Sequence, residues 1–248
     1  MEQVQVLFLG SGDAFSPQGR QQAGYLIRGS RSTVLLDCGA TTLPALKRAG
    51  IQVGRIDTIL ISHFHGDHIA GLPFVILDGV YSQPQRRPLC IAGPPGIQER
   101  VLALYRAAYR DAASSPPSFQ INYMEMLPGQ ATCIGAVEIE AFAVPHTERE
   151  ISLGLRVAID GKRILYSGDS GWTEDLVAYS KDADLFICEC SFFETRTATH
   201  LDYRRIAENL DRFRAKRIIL THLGEEITAR TSEVQIELAS DGLLITLQ

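Results

Sequence analysis

Residues 56–68 read Ile56-Asp57-Thr58-Ile59-Leu60-Ile61-Ser62-His63-Phe64-His65-Gly66-Asp67-His68, and the rest of the chain is arranged around them. The first seven are mostly apolar and β-branched, the composition of a buried strand. The last six hold three imidazoles and a carboxylate. Those side chains hold divalent zinc, manganese or iron. Ile69 to Leu77 then reads as the start of a helix. The cluster therefore occupies the turn at the carboxyl end of a strand, where open α/β sheets place their sites. The competing reading is a polar turn that happens to be rich in histidine. It carries less weight, because the donors here have both the type and the number a metal needs. Four donors so close together crowd one ion, and two ions sharing the cluster fit better. Spacing alone does not fix how many bind.

Upstream, Val4–Leu9 reads as a strand ending in the Gly-rich turn Gly10-Ser11-Gly12-Asp13. No Gly-Lys-Ser/Thr and no helix pattern follow, so this is not a phosphate-binding P-loop. Strands are expected at Ala23–Arg28 and Ser32–Leu36, joined by a tight turn at Gly29-Ser30. Asp37 stands at the end of the second. Thr41 or Thr42 is expected to cap a short helix that Gly50 stops. Further on, Leu89–Ala92 reads as a strand and Ile97–Tyr109 has helical spacing. The loop Ser114-Ser115-Pro116-Pro117-Ser118 is too short to be a domain linker.

The second half repeats one arrangement. Strands are expected at Ile121–Met126, Val137–Val144, Ser152–Ala158, Arg163–Tyr166, Asp184–Glu189 and Arg217–Leu220, with a hairpin turn at Asp160-Gly161. Four of them end in polar residues: Pro145-His146-Thr147, Ser167-Gly168-Asp169-Ser170, Glu189-Cys190-Ser191 and Thr221-His222-Leu223-Gly224. A lone His after a strand is more often an ordinary hydrogen-bonded group than a ligand. Repetition changes that weighing, since five of the six histidines lie in the opening cluster or directly after such a strand.

Composition bounds the alternatives. The chain has 248 residues, enough for a substantial core. Its 45% hydrophobic and 21% charged residues are ordinary for a globular protein. A formal net charge of −5 gives no general basic field for nucleic acid, although it leaves room for a local patch. No apolar run approaches a membrane span. The start Met1-Glu2-Gln3-Val4 shows no signal peptide. Five scattered cysteines, an odd number, argue against a disulfide framework and fit a reducing cytoplasm.

The order His-x-His-x-Asp-His, then His, then Gly-Asp, then Thr-His resembles the metallo-β-lactamase fold superfamily. Its ribonuclease Z branch, which includes small-molecule phosphodiesterases, is the most similar. The likeness runs from Leu9-Gly10-Ser11-Gly12 to Ala239-Ser240-Asp241-Gly242-Leu243. It implies an α/β (α+β) fold, a four-layer αββα sandwich with a two-metal site along one edge, built as one domain over residues 1–248. Carried over by position, His63, His65 and His146 hold one metal. Asp67, His68 and His222 hold the other, and Asp169 bridges them along with a water or hydroxide. Asp67 counts among the catalytic residues as well. Asp37 is either a carboxylate orienting a ligating histidine or a turn and helix-capping residue.

His200, in Thr197-Ala198-Thr199-His200, resembles the histidine of the Gly-His-Ser-Thr element, which acts near the leaving group. Ile187-Cys188-Glu189-Cys190-Ser191 resembles the His-Glu-Ala-Thr element, with Cys188 where the family has His. Glu189 then holds the tautomer of His200, the general acid. The alternative has His200 capping a helix over Leu201–Phe213 and Glu189 pairing with an arginine.

Two departures bear on substrate. Val144 to Asp169 is compact, without the long Gly- and Pro-rich arm with which ribonucleases Z grip transfer RNA. Glu225 and Glu226 follow His222 and put negative charge beside it, which repels a polyanion. The basic candidates are Arg86-Arg87, Arg204-Arg205 and Arg212–Arg217. The expectation is a cytoplasmic hydrolase of phosphodiesters that uses two divalent ions, zinc ahead of manganese or iron. A small phosphodiester is the expected substrate, with RNA and a homodimer as further partners and no membrane. The alternatives are ribonuclease Z-type processing of precursor transfer RNA, a thioester or lactone hydrolase, and a metal-bearing sensor without turnover.

Overall fold

The computed structural model describes residues 3–82, 87–114 and 117–248. Arg86 and the Ser115-Pro116 portion of the expected loop lie outside the described residues. In chain order the first half holds β1 (Val4–Gly10), β2 (Gly24–Arg28), β3 (Thr33–Leu36), α1 (Thr42–Arg48), β4 (Thr58–Leu60), α2 (Gly66–Ile69), α3 (Leu72–Tyr81), β5 (Leu89–Gly93), α4 (Ile97–Ala108) and β6 (Ile121–Glu125). The second half holds β7 (Ala131–Ile134), β8 (Val137–Val144), β9 (Ser152–Ile159), β10 (Lys162–Tyr166), α5 (Glu174–Tyr179), β11 (Leu185–Glu189), α6 (Tyr203–Glu208), β12 (Ile218–Thr221), α7 (Glu225–Thr228), β13 (Glu237–Leu238) and β14 (Leu244–Leu247).

These strands form two sheets, ordered β14-β1-β2-β3-β4-β5-β6 and β13-β12-β11-β10-β9-β8-β7. Strand β14 returns to pair with β1, so the end of the chain closes the first sheet. The alternating strands of each sheet turn one apolar face inward. Phe8, Tyr25 and Ile245 from the first meet Leu155, Tyr166 and Leu185 from the second. Tyr25 and Tyr166 touch across the interface with ring centroids 5.1 Å apart. The outer faces are covered by helices. Leu46, Val75 and Val101 pack on Leu35, Ile59 and Ile91, while Leu176, Ile206 and Ile227 pack on Leu165, Phe186 and Leu220. Four layers result, the αββα sandwich of the metallo-β-lactamase fold. Among the described residues no helix is long and apolar enough to cross a membrane.

Each sheet is half parallel and half antiparallel. In the first, β3, β4, β5 and β6 run parallel. In the second, β10, β11, β12 and β13 do. Strand β8, two antiparallel steps from β10, also points the same way. The carboxyl ends of β4, β8, β10, β11 and β12 thus share one end of the sandwich. At the opposite end the two expected hairpin turns meet. Asp160 and Gly161 take φ of 47° and 77°, as a type I′ turn needs. The Asp160 carboxylate accepts hydrogen bonds from the backbone N–H and the hydroxyl of Ser30, tying the sheets together.

Several expectations are corrected. The helix after the cluster is two pieces, α2 and α3, because the Gly71 N–H leaves the helical ladder for the Cys38 carbonyl and Pro73 has no N–H to continue it. The Leu201–Phe213 helix is α6 followed by a short 3₁₀ turn at Leu210–Arg212. Neither threonine caps α1 in the expected way: position 41 makes no side-chain capping bond, and the Thr41 hydroxyl accepts from the Gln22 N–H instead.

Candidate metal centre

The histidine cluster leaves β4 and turns into α2, so Asp67 and His68 stand on one helical turn while His63 and His65 precede it. The other side chains arrive from the second sheet: His146 after β8, Asp169 after β10, Glu189 at the end of β11 and His222 after β12. Gly168 permits the turn that aims Asp169. Its φ is +60°, and a Cβ there would stand 2.5 Å from the Leu153 carbonyl oxygen.

Two groups of donors result. His63, His65, His146 and Asp169 converge, as do Asp67, His68, Asp169 and His222, with the donor atoms of each group within 4.8 Å of one another. Asp169 belongs to both. Glu189, His200 and His222 form a third group beside the second. All the residues expected at the site are therefore brought together.

Hydrogen bonds on the far side of each ring fix which nitrogen faces inward. Asp37 is fully buried and accepts from the Ser62 N–H and hydroxyl, both at 2.7 Å, from Tyr166 Oη at 2.6 Å and from His68 Nδ1 at 2.7 Å. Of the two readings of Asp37, the geometry shows it holding the His68 ring and capping no helix. Since the Ser62 hydroxyl donates to Asp37, it accepts from His63 Nδ1 at 3.0 Å. His146 Nδ1 donates to the Thr199 carbonyl at 2.8 Å, and His222 Nδ1 donates to the Ser191 hydroxyl at 3.0 Å. The tautomers follow from these partners. All four rings then turn Nε2 toward the centre.

Two of the inward atoms go unsatisfied. His63 Nε2 and Asp169 Oδ1 are buried without a hydrogen-bond partner. His146 Nε2 faces His65 Nδ1 at 2.9 Å, and His68 Nε2 faces His222 Nε2 at 3.4 Å. Buried polar atoms left this way cost about 1–3 kcal/mol each unless something binds them. A cation in each group satisfies the whole set, so the residues present fit divalent metals.

The electrostatics agree. Burial pushes the Asp169 carboxyl up, but His222, His68 and His63 outweigh it and hold the group well below the usual carboxylate range. Burial likewise raises Asp67, and hydrogen bonds to His222 and His68 hold it low. For His222 burial works downward, yet Asp169 and Asp67 lift it to about 9. The carboxylates thus demand more positive charge than neutral imidazoles supply.

His200 lies at the rim. Its Nδ1 donates to Glu189 Oε1 at 3.1 Å, and burial is outweighed by Glu189, which raises its pKa. Glu189 is fully buried and pairs with no arginine; it also accepts from the Ser170 N–H at 2.6 Å. Helix α6 is capped by Asp202, which accepts from the Arg205 N–H, and not by His200. The sequence reading missed Ser62, Tyr166, Ser191 and the Thr199 carbonyl. Hydroxyls adjoining the clusters, at Ser62 and Ser191, were the available signal.

Two cavities flank the centre. One, of about 520 Å³, is lined by Phe64, Arg100, Arg149, Glu99 and Glu150 among others. The second, about 420 Å³, runs from Ser191 to Asp13, Phe15, Phe192 and Glu225. Glu226 is largely occupied, accepting from the N–H groups of Phe193, Glu194 and Thr195. Four of the described basic candidates are paired with carboxylates. Arg87 pairs with Asp57, Arg212 with Glu174, Lys216 with Asp184 and Arg217 with Glu237, while Arg204 and Arg205 lie over Phe193 and Trp172.

The chain is similar to known proteins. The ribonuclease Z of Lachnoclostridium phytofermentans is 26% identical over 277 residues, covering 91% of this chain and 89% of the relative. The human short-form tRNase Z (ELAC1) superposes with a TM-score of 0.79 at 24% identity, over 98% of this chain and 99% of that one. The metallo-β-lactamase fold protein YhfI from Bacillus subtilis gives 0.76 at 20% identity, over 99% and 100%. The family model described as anti-Pycsar protein Apyc1 matches residues 4–242. That match takes in every donor of the centre, from His63 to His222, and the chain belongs to the anti-Pycsar protein Apyc1 family.

Proposed function

We propose that this chain is a metal-dependent hydrolase that cleaves small phosphodiesters, with residues 1–248 acting as one domain. The observation that carries it is the pair of donor groups sharing Asp169, in which His63 Nε2 and Asp169 Oδ1 are buried without a partner. His63, His65 and His146 would hold one divalent ion, and Asp67, His68 and His222 the other, with Asp169 common to both. Two such ions, when bound, acidify a water between them and draw charge from a phosphoryl oxygen. Zinc suits imidazole and carboxylate donors best, with manganese or iron able to use the same set. The five free cysteines accord with a reducing compartment.

The remaining work falls to the chain itself. As the phosphorus–oxygen bond to the leaving alcohol breaks, that oxygen gains negative charge and needs a proton. His200 stands beside His146 and His222, with ring centroids 4.7 and 5.9 Å away, and Glu189 fixes its Nδ1. Its Nε2 is left to deliver that proton.

A second reading, cleavage of precursor transfer RNA, is favoured by the similarity to proteins named ribonuclease Z. The engaged arginines and the acidic cavity beside His222 speak against it. A protein that neutralises many phosphates loses ~10³–10⁵ in affinity as salt rises from tens to hundreds of millimolar. The test begins with metal analysis, which should find about two divalent ions per chain. Metal-assayed protein is then given bis-p-nitrophenyl phosphate, a cyclic nucleotide and a precursor transfer RNA in competition at physiological salt. Hydrolysis of a small diester should dominate. Specific cleavage at the 3′ end of the acceptor stem, more efficient than any small diester, would establish the RNA reading instead. Active protein holding only trace metal would sink both.

A further inference from the structure

We infer that the Ser191 hydroxyl is a positioning group that locks the metal-side His222 and the leaving-group-side His200 into one joint arrangement. The inference rests on the proposed hydrolase and assigns a role to a residue that neither touches substrate nor holds metal.

The geometry is specific. Ser191 is buried, and its Oγ lies 3.0 Å from Glu189 Oε2, 3.0 Å from His222 Nδ1 and 3.2 Å from His200 Nδ1. A hydroxyl has one proton to donate and two lone pairs to accept with. Donating to the Glu189 carboxylate leaves both lone pairs for the two ring N–H groups. Its whole capacity is then used, and both imidazoles are fixed with hydrogen on Nδ1. His222 turns its Nε2 toward Asp67 Oδ2 at 3.2 Å and Asp169 Oδ2 at 3.3 Å. His200 turns its Nε2 toward the cleft, with its Nδ1 hydrogen shared between Ser191 and Glu189.

The backbone holds the hydroxyl in place. The Cys190 N–H donates to the Thr221 carbonyl at 2.8 Å, and Gly224 packs so tightly on the Ser191 carbonyl that a side chain there would overlap it. His222 needs such a partner. Its φ of 53° puts a non-glycine residue in the left-handed region, a conformation held only where the surroundings over-determine it. Glu189 extends the set further, because it also accepts from the N–H of Ser170, next to Asp169. One serine thus sits where the ring that faces the ions and the ring that meets the leaving group are both anchored. If Ser191 only filled space, a methyl group would serve equally well.

The test uses Ser191→Ala together with the near-isosteric pair Ser191→Thr and Ser191→Val, which differ by one hydroxyl. Zinc stoichiometry and affinity are read by competition with a chromogenic chelator. Long-range proton–nitrogen NMR reads the tautomers of His200 and His222, and leaving-group dependence is taken over a series of aryl diesters. Losing an outer partner of a ligating histidine commonly weakens metal binding ~10–100-fold. Ser191→Ala and Ser191→Val should therefore bind one of two zinc ions ~10–100-fold more weakly, lose the fixed Nδ1–H signal of His222 and depend more steeply on the leaving group. Ser191→Thr should retain affinity and tautomer. Should the alanine variant not fold, the threonine and valine pair decides. Zinc-loaded wild type with Thr and Val variants indistinguishable in affinity and tautomer overturns the role of Ser191 alone. Wild type that takes up no ion overturns the hydrolase and this inference with it.

Discussion

Replacing Asp37 by Asn isolates what the buried carboxylate does for the centre. Asn adopts the left-handed backbone almost as readily as Asp, so the φ of 54° at position 37 is not disturbed. The change is confined to hydrogen bonds. Oδ2 accepts from Ser62 Oγ, His68 Nδ1 and Tyr166 Oη, while Oδ1 accepts only from the Ser62 N–H. The amide will keep its oxygen toward the three donors and set its NH₂ against the Ser62 N–H. That loses one bond to a charged acceptor, about 1.5–3 kcal/mol, and weakens three others. His68 keeps a partner but loses the charge that strengthens it as a ligand. A loss of ~10–100-fold in affinity for one ion follows, about 1.4–2.7 kcal/mol. Chelator competition measures the affinity and thermal unfolding measures the stability. Tyr166→Phe is the comparison, since it removes one donor to Asp37, costs about 0.5–1.5 kcal/mol of stability and should leave the ions in place. Asp37→Asn protein that binds both ions as tightly as wild type would refute the claim that Asp37 acts through His68.

Other expectations are equally direct. His200→Ala should keep both ions and lose ~10²–10⁴-fold on alkyl diesters but far less on nitrophenyl diesters; equal losses on both would show that His200 is not the acid. Glu189→Gln should move the alkaline limb of the kcat profile to lower pH. Burial lowers the pKa of His200 and Glu189 outweighs it, so the protonated ring persists to higher pH only while that carboxylate is present; an unmoved limb would dismiss the pairing. Gly168→Ala should lower the melting temperature and the metal content together, because the new Cβ stands 2.5 Å from the Leu153 carbonyl oxygen at a φ of +60°; wild-type values in both would mean the turn tolerates a side chain.

What the sequence could reveal depended on how local the cause was. The cluster at 63–68 and the strand ends at 146, 169 and 222 were legible, because metal donors are few in kind and apolar runs frame them. The turn at Asp160-Gly161 was legible because the left-handed backbone there selects those residues. Strands β7, β13 and β14 went unread. They lie at sheet edges, and β13 has only two residues, so their pairing is set by the neighbouring strand more than by their own pattern. The break between α2 and α3 was signalled by Pro73, but it also depends on the Gly71 N–H reaching the Cys38 carbonyl, a contact between distant backbones. The outer partners of the histidines were hidden for the same reason. Tyr166 stands 129 positions from Asp37, and Thr199 contributes a carbonyl that any residue carries.

Charge joins the site to the class of substrate. Asp37, Asp67, Asp169 and Glu189 are all buried, and together they carry four negative charges. Two divalent ions would bring four positive ones, which offset those four carboxylates before an acidified water is counted. At about 4 Å and an effective dielectric near 20, each unmatched unit charge is worth roughly 4 kcal/mol, so small imbalances decide what enters. A phosphodiester brings one negative charge, which a protonated His200 matches. A polyanion brings many. Among the described arginines, Arg87, Arg212, Arg217 and Arg100 are paired with Asp57, Glu174, Glu237 and Glu150. Asp13, beside His222, adds a carboxyl on the same side, and Glu225 lines the adjoining cavity. The same balance leaves nothing to match the second charge of a phosphomonoester. On the proposed reading, a centre that would balance two cations would therefore also favour a singly charged diester over a polyanion.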